Sequence, residues 1–202
     1  MKQMLIFLLF ILSYFFHAQE LQLVDGDYTY TKVLETNKSK IDTYKTLKKW
    51  LNNSSTKSKY VIDQDDFETG LLSFNETLPE REFIYLQTSQ VSYKVNIEIK
   101  DNKIRFRVNN IILKNNIGGL ASFTQSYAYL ITNIEKENSK YEESKKLMDG
   151  ESKPRIKKKY EYDFNNARNN LRSLTELDTL IKNQILFNQN LIMEKLNEND
   201  DW

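Results

Sequence analysis

Four acidic residues, Asp63, Asp65, Asp66 and Glu68, stand within six positions of one another and form the densest acidic cluster in the chain. Two chemistries use such a set. Calcium takes oxygen donors, but its commonest loop needs acceptors at alternate positions and a Gly at the sixth. Counted from Asp63, the fifth and sixth places hold Phe67 and Glu68, so that pattern fails. A glycosidase needs an acid and a base roughly 5–10 Å apart. Any acidic protein offers such pairs, and a solvated hairpin end is the plainer reading of these four residues.

Histidine and cysteine are nearly absent. The chain has no Cys and a single His, His17, which lies inside an N-terminal leader. Once the leader is removed, nucleophile systems built on Ser-His-Asp or Cys-His have no members to use. Zinc, copper and haem sites of the usual kind lack ligands as well. We therefore expect no catalytic residues, no cofactor and no metal. Without thiols, disulfides are excluded.

The leader covers residues 1–18. Lys2 supplies its positive end, and Met4 to Phe16 is an apolar run broken by Ser13 and Tyr14. That run falls short of the roughly 20 residues that cross a bilayer, and Ala18 suits the last position before cleavage. The expectation is an exported protein, periplasmic or secreted. Membrane contact would come only through an uncleaved leader.

Two other groups of charge remain. Lys153 to Lys159 (KPRIKKK) concentrates basic residues, which fits an anionic lipid or polysaccharide contact or a solvated run balanced by Glu161 and Asp163. Removing Lys2 with the leader leaves 28 basic residues against 28 acidic ones, so a nucleic-acid partner is not expected. The second group is Lys94, Asn96, Glu98, Arg105, Arg107 and Asn109. These residues share one face of a hairpin, and they are the expected partner-binding surface.

That hairpin is the stretch VSYKVNIEIKDNKIRFRVNNIIL, from Val91 to Leu113. Val91, Tyr93, Val95, Ile97 and Ile99 alternate with polar residues, the signature of a half-buried strand. Asp101-Asn102 offers a two-residue turn of type I′. With Lys100 opposite Lys103, Ile99 meets Ile104, Ile97 meets Phe106 and Val95 meets Val108. A slip of one residue would turn all of them to water.

Around it the chain reads as an α+β arrangement. Tyr28 to Leu34 is a first strand. Ser39, three residues before Asp42, opens a helix whose apolar stripe is Ile41, Tyr44, Leu47 and Leu51, flanked by Trp50. Tyr60 to Asp66 and Leu71 to Phe74 are strands about a turn at Glu68-Thr69-Gly70. Phe83 to Leu86 is extended, and Gly118-Gly119 ends the sheet region. Ser126 to Asn133 fits either a last extended segment or the start of a helix.

Residues 135–160 read as a polar helical insert or linker with little to bury. From Asp163, a candidate N-cap, to Asn197 runs a long helical pattern. Phe164, Ala167, Leu171, Leu174, Leu177, Ile181, Ile185, Leu191 and Leu196 lie on one side, and Asn188 interrupts them. Such a helix either bends near Asn188 to Asn190 or projects at one end. Homodimerisation through residues 163–197 is a further candidate interaction.

The segments SKIDTYKTLKKWL, YVIDQDDFETGLLSF and VSYKVNIEIKDNKIRFRVNNI resemble the bacterial family called domain of unknown function 4468, with TBP-like fold. The resemblance covers about residues 28–113 and rests on Tyr44, Trp50-Leu51, the turn from Asp66 to Gly70 and the hairpin with its aromatic and Arg residues. It implies a TBP-like curved antiparallel sheet with helices packed on one face, joined here to a long C-terminal helix. It implies no activity. On this basis residues 1–18 are the leader, 19–134 the TBP-like domain, 135–160 the insert and 161–202 the C-terminal helix. The expected function is a non-enzymatic binding or scaffold module of the cell envelope, with an envelope protein or glycan as partner. The alternative is a carboxylate-based hydrolase acting on a glycan or peptide.

Overall fold

The computed structural model of the chain describes residues 21–55, 60–83, 87–117 and 121–198. The leader, Ile84 to Leu86 and Gly118-Gly119 lie outside them. Eight strands form one antiparallel sheet: β1 (Gln22–Val24), β2 (Asp27–Glu35), β3 (Tyr60–Asp66), β4 (Leu71–Thr77), β5 (Arg81–Phe83), β6 (Gln87–Lys100), β7 (Lys103–Ile117) and β8 (Ala121–Ser126). Three helices accompany them among the described residues: α1 (Lys40–Ser55), α2 (Tyr127–Gly150) and α3 (Pro154–Asn197).

The long β6–β7 hairpin is the spine. The strand order is β1-β2-β7-β6-β4-β3, and the far halves of the two long strands carry β5 on β6 and β8 on β7. The register is the one its alternation dictates: Lys100 pairs Lys103, Ile99 pairs Ile104, Ile97 pairs Phe106 and Val95 pairs Val108. Each of those apolar residues is buried.

The turn between them differs from type I′, which needs positive φ at both central residues. Only Asn102 has it, at 61°. A tertiary contact accounts for the difference. The Lys40 N–H donates to the Asp101 carboxylate at 2.8 Å, the Asn102 N–H to the Lys38 carbonyl at 3.1 Å, and the Thr36 N–H to the Asn102 carbonyl at 2.8 Å. The hairpin tip is thus clamped by the segment that leads into α1.

A bulge alters the far half of β7. Ser92 pairs Ile112 but Lys94 pairs Asn109, so β7 carries one extra residue there, and Asn110 has a φ of 50°. The bulge shifts the buried positions from Ile104, Phe106 and Val108 to Ile111 and Leu113. The Asp27 carboxylate accepts from the Asn110 N–H at 2.9 Å and holds the kink.

Helices α1 and α3 cover the apolar face. Tyr44, Leu47 and Leu51 of α1 join the same core cluster as Phe74, Val95, Ile97 and Phe106. Ile41, expected in that stripe, is half exposed, and the buried polar position beside the stripe is Thr43. Trp50 sits at the core edge, with ring centroids 5.5 Å from Tyr60 and 6.1 Å from Phe74. The start of α1 is capped by Ser39, whose hydroxyl accepts from the Asp42 N–H at 3.1 Å.

Helix α3 is continuous and starts earlier than its apolar pattern. Pro154 occupies its first turn and Lys153 its N-cap, in place of Asp163. At 44 residues it extends about 66 Å. Its buried positions run from Ala167 to Leu196, so the N-terminal three turns project beyond the sheet. Helix α2 begins directly after β8, with Ser126 as N-cap, and returns alongside α3. The polar stretch 135–160 is helical on both sides of Glu151 to Lys153. No described helix is long and apolar enough to cross a membrane.

Candidate functional site

The six residues expected to receive a partner lie on one open face. Alternation in β6 and β7 turns Lys94, Asn96, Glu98, Arg105, Arg107 and Asn109 away from the helices, and each keeps solvent exposure. Arg105 Nη1 lies 2.8 Å from Glu98 Oε2, and Arg107 Nη2 lies 3.8 Å from Glu98 Oε1. Asn96 Nδ2 donates to Asn109 Oδ1 at 3.1 Å. Lys94 Nζ meets Asp63 Oδ2 at 2.5 Å. Lys100 and Lys103 extend the face to the hairpin end. The cations outnumber Asp63, Glu98 and the neighbouring Glu35.

The acidic cluster is dispersed instead of convergent. A bulge between Ile62 and Gln64 breaks the alternation of β3, so Asp63 and Asp65 reach opposite faces. Asp63 stays on the open face, where the Lys94 ammonium holds its carboxyl below the usual carboxylate range and Ser73 adds a hydrogen bond. Asp65 turns to α1, where Lys48 at 2.7 Å lowers its pKa first and the Tyr44 hydroxyl adds to this. Asp66 accepts from the Thr69 N–H at 3.1 Å, which lowers its carboxyl too. Glu68 supplies its carbonyl to Lys40 Nζ at 2.8 Å. Among the described residues no cluster of carboxylates could hold a metal ion.

A buried polar network, not anticipated from the sequence, joins the sheet to α3. Glu76 and Asn188 are both fully buried. The Tyr93 hydroxyl donates to Glu76 Oε2 at 2.5 Å, Gln184 Nε2 to Glu76 Oε1 at 3.2 Å, and Asn188 Nδ2 to both Glu76 and the Tyr93 oxygen, the latter at 2.8 Å. Burial pushes the Tyr93 hydroxyl far above its ordinary pKa, and the neighbouring carboxylate adds to this. One sequence signal existed. Glu76 falls on the same parity as Leu72 and Phe74, so period-2 alternation sends a carboxylate into the core.

Asn188 does not interrupt the stripe of α3. Among its buried positions Leu174, Leu177, Ile181, Ile185, Asn188, Ile192 and Leu196 follow one another at spacings of three or four residues. Ile192 takes the place expected for Leu191. This stripe packs into the core cluster beneath the chain's own sheet. The apolar residues exposed on that segment are Leu186 and Phe187.

The basic run occupies the first turns of α3, with Lys153, Arg155, Lys157, Lys158 and Lys159 all exposed. No ion pair among the described residues joins it to Glu161 or Asp163.

The sheet also contributes to a cleft that the sequence did not reveal. Where β7 pairs β8, Leu113 and Asn115 stand beside Gln125 and Phe123, facing α2 and α3. Together with Tyr129, Leu130, Asn133 and Glu137 of α2 and Asn170, Leu174 and Leu177 of α3 they enclose about 230 Å³. Glu137 is nearly buried; it accepts from Asn170 Nδ2 at 3.2 Å and pairs with Lys140.

Residues 30–114 match the family model described as "Domain of unknown function (DUF4468) with TBP-like fold". Two solved structures are similar to the chain. A TBP-like protein from Parabacteroides distasonis ATCC 8503 is 15% identical, with 52% of this chain and 69% of that chain covered and a TM-score of 0.45. A DUF4468 family protein from Bacteroides ovatus ATCC 8483 is 15% identical, with 52% and 64% covered and a TM-score of 0.41. The chain thus spans somewhat less than two thirds of the second relative. No curated protein matches it.

Proposed function

We propose, from the match of residues 30–114 to a family model of domains of unknown function with a TBP-like fold, that the protein is an exported, non-enzymatic binding module of the bacterial cell envelope. Its open sheet face receives an acidic segment of another envelope protein. One observation carries the reading: Lys94, Asn96, Glu98, Arg105, Arg107 and Asn109 lie together on the face left uncovered, while α1 and α3 take the opposite one. Export rests on the leader of residues 1–18.

The electrostatics favour an acidic partner. Glu98 is shared between Arg105 and Arg107, so neither guanidinium is fully neutralised. Exposed pairs of this kind are worth about 0–1 kcal/mol each, so an incoming carboxylate displaces them at little cost. Binding would weaken as salt rises.

Titration of a hexaglutamate peptide, followed by amide and side-chain NMR, tests the reading. Shifts should gather at Lys94, Asn96, Arg105, Arg107 and Asn109. They should vanish in the Arg105→Ala/Arg107→Ala protein, whose thermal midpoint stays unchanged. The same double variant should lose its partner in pull-downs from envelope extracts. Identical shifts in parent and double variant would remove the sheet face from consideration.

A further inference from the structure

We propose that the cleft between the β7–β8 ribbon and helices α2 and α3 is a binding site for an N-acetylated amino sugar within a glycan chain. Three features of the cleft point to this ligand. Its floor is apolar, made by Leu113, Leu130, Leu174 and Leu177, each nearly or fully buried. Two rings stand at its mouth, Phe123 and Tyr129, at 39% and 50% exposure. Its remaining lining is carboxamide with one carboxylate: Asn115, Gln125, Asn133, Asn170 and Glu137.

Three of them, Gln125, Asn133 and Asn170, have unused valences. Gln125 accepts from Asn115 Nδ2 at 3.0 Å through Oε1, which leaves its own amide N–H groups without a protein partner among the described residues. Asn133 donates to the Tyr129 carbonyl at 2.9 Å and Asn170 to Glu137, which leaves the side-chain oxygen of each to accept. Donors and acceptors thus line the same small space without an unpaired charge, since Lys140 already neutralises Glu137. Neutral hydroxyl and acetamide groups match that set, whereas an ionic ligand would have to break the Glu137–Lys140 pair.

An acetamido substituent fits the division of the cleft. Its methyl belongs against the leucines, its N–H with an Asn oxygen and its carbonyl with the Gln125 amide. The sugar ring is then left beside Tyr129 and Phe123, whose faces suit the apolar side of a pyranose. A chain of sugars has somewhere to continue. Glu137 and Asn170 also border a second hollow of about 380 Å³ between α2 and α3, lined by Glu143, Ser144, Asp163 and Asn166. The two hollows adjoin along the helical pair, with Glu137 and Asn170 lining both. This site is separate from the open sheet face.

Calorimetric titration of the full chain with β-1,4-linked N-acetylglucosamine oligomers, glucose oligomers of equal length and an alanine tripeptide is the test. We expect saturable binding of the N-acetylated oligomers alone. Tyr129→Ala should weaken it at least about tenfold, the usual order for losing a stacked ring. Asn133→Leu should do the same, and guards against misreading a folding defect in the first variant. Arg105→Ala/Arg107→Ala should leave it unchanged, which separates this site from the sheet-face reading. Absence of binding at about 1 mM, equal binding of glucose oligomers, or preference for the peptide would each overturn the assignment.

Discussion

Asn188 donates its side-chain amide to the Tyr93 hydroxyl oxygen at 2.8 Å, linking the middle of α3 to the centre of the sheet across 95 positions of sequence. The same amide reaches Glu76, so a largely apolar core contains a linked set of carboxylate, phenol and carboxamides. Such a network fixes which residue of α3 lies over which strand. Leucines alone would tolerate a shift by one turn.

Asn188→Leu removes the donor while keeping the apolar stripe of α3. It leaves Glu76 with fewer partners in a buried site, so we expect a loss of about 2–3 kcal/mol in urea unfolding. A stability equal to the parent's would mean that the network contributes nothing.

Gly70 has a φ of +75°, and a Cβ there would come within 2.5 Å of the Ile99 carbonyl and 2.8 Å of Lys40 Cε. The lysine can move aside, but the carbonyl belongs to the paired strand, whose Ile99 N–H also donates to the Gly70 carbonyl at 2.7 Å. Gly70→Ala should therefore destabilise by about 1–3 kcal/mol, checked by chemical denaturation.

Asp101→Ala tests the clamp at the hairpin tip. The carboxylate caps the first N–H of α1, and losing such a cap costs about 1 kcal/mol. Hydrogen exchange should quicken in the first turn of α1 and leave α3 unaffected. Unchanged exchange at Lys40 to Thr43 would show that Ser39 alone suffices.

The pH dependence has two limbs of opposite sign. Asp63, Asp65 and Asp66 are held below the ordinary carboxylate value. The stability they lend is complete above about pH 5 and drains away as the pH falls below about 4. Tyr44, Tyr93 and Tyr127 are pushed upward, chiefly by burial. Their contribution is complete below about pH 9 and is lost only as the pH rises past about 10. Thermal midpoints followed by circular dichroism should form a plateau between these limits. Asp65→Asn should make the acid limb shallower, and an unaltered slope would contradict the role given to Lys48 and Tyr44.

What the sequence determined by itself is local. The alternation from Val91 to Ile99 and from Ile104 to Val108 set a register that any slip would expose to water, and the six polar residues between them were sent to one face by the same arithmetic. The stripe from Leu174 to Leu196 marked a helix, and the segments around Tyr44, Trp50-Leu51 and Gly70 carried the family resemblance. Tertiary structure decided whatever depends on residues far apart in the chain. Asn188 reads as a flaw in its stripe until Glu76 and Tyr93 lie opposite it. The Asp101-Asn102 turn departs from type I′ because the loop before α1 grips it. The cleft exists only where β8 delivers α2 against α3, and no spacing within one segment encodes that meeting. Periodicity reports which side of an element is apolar; what that side faces is settled by packing.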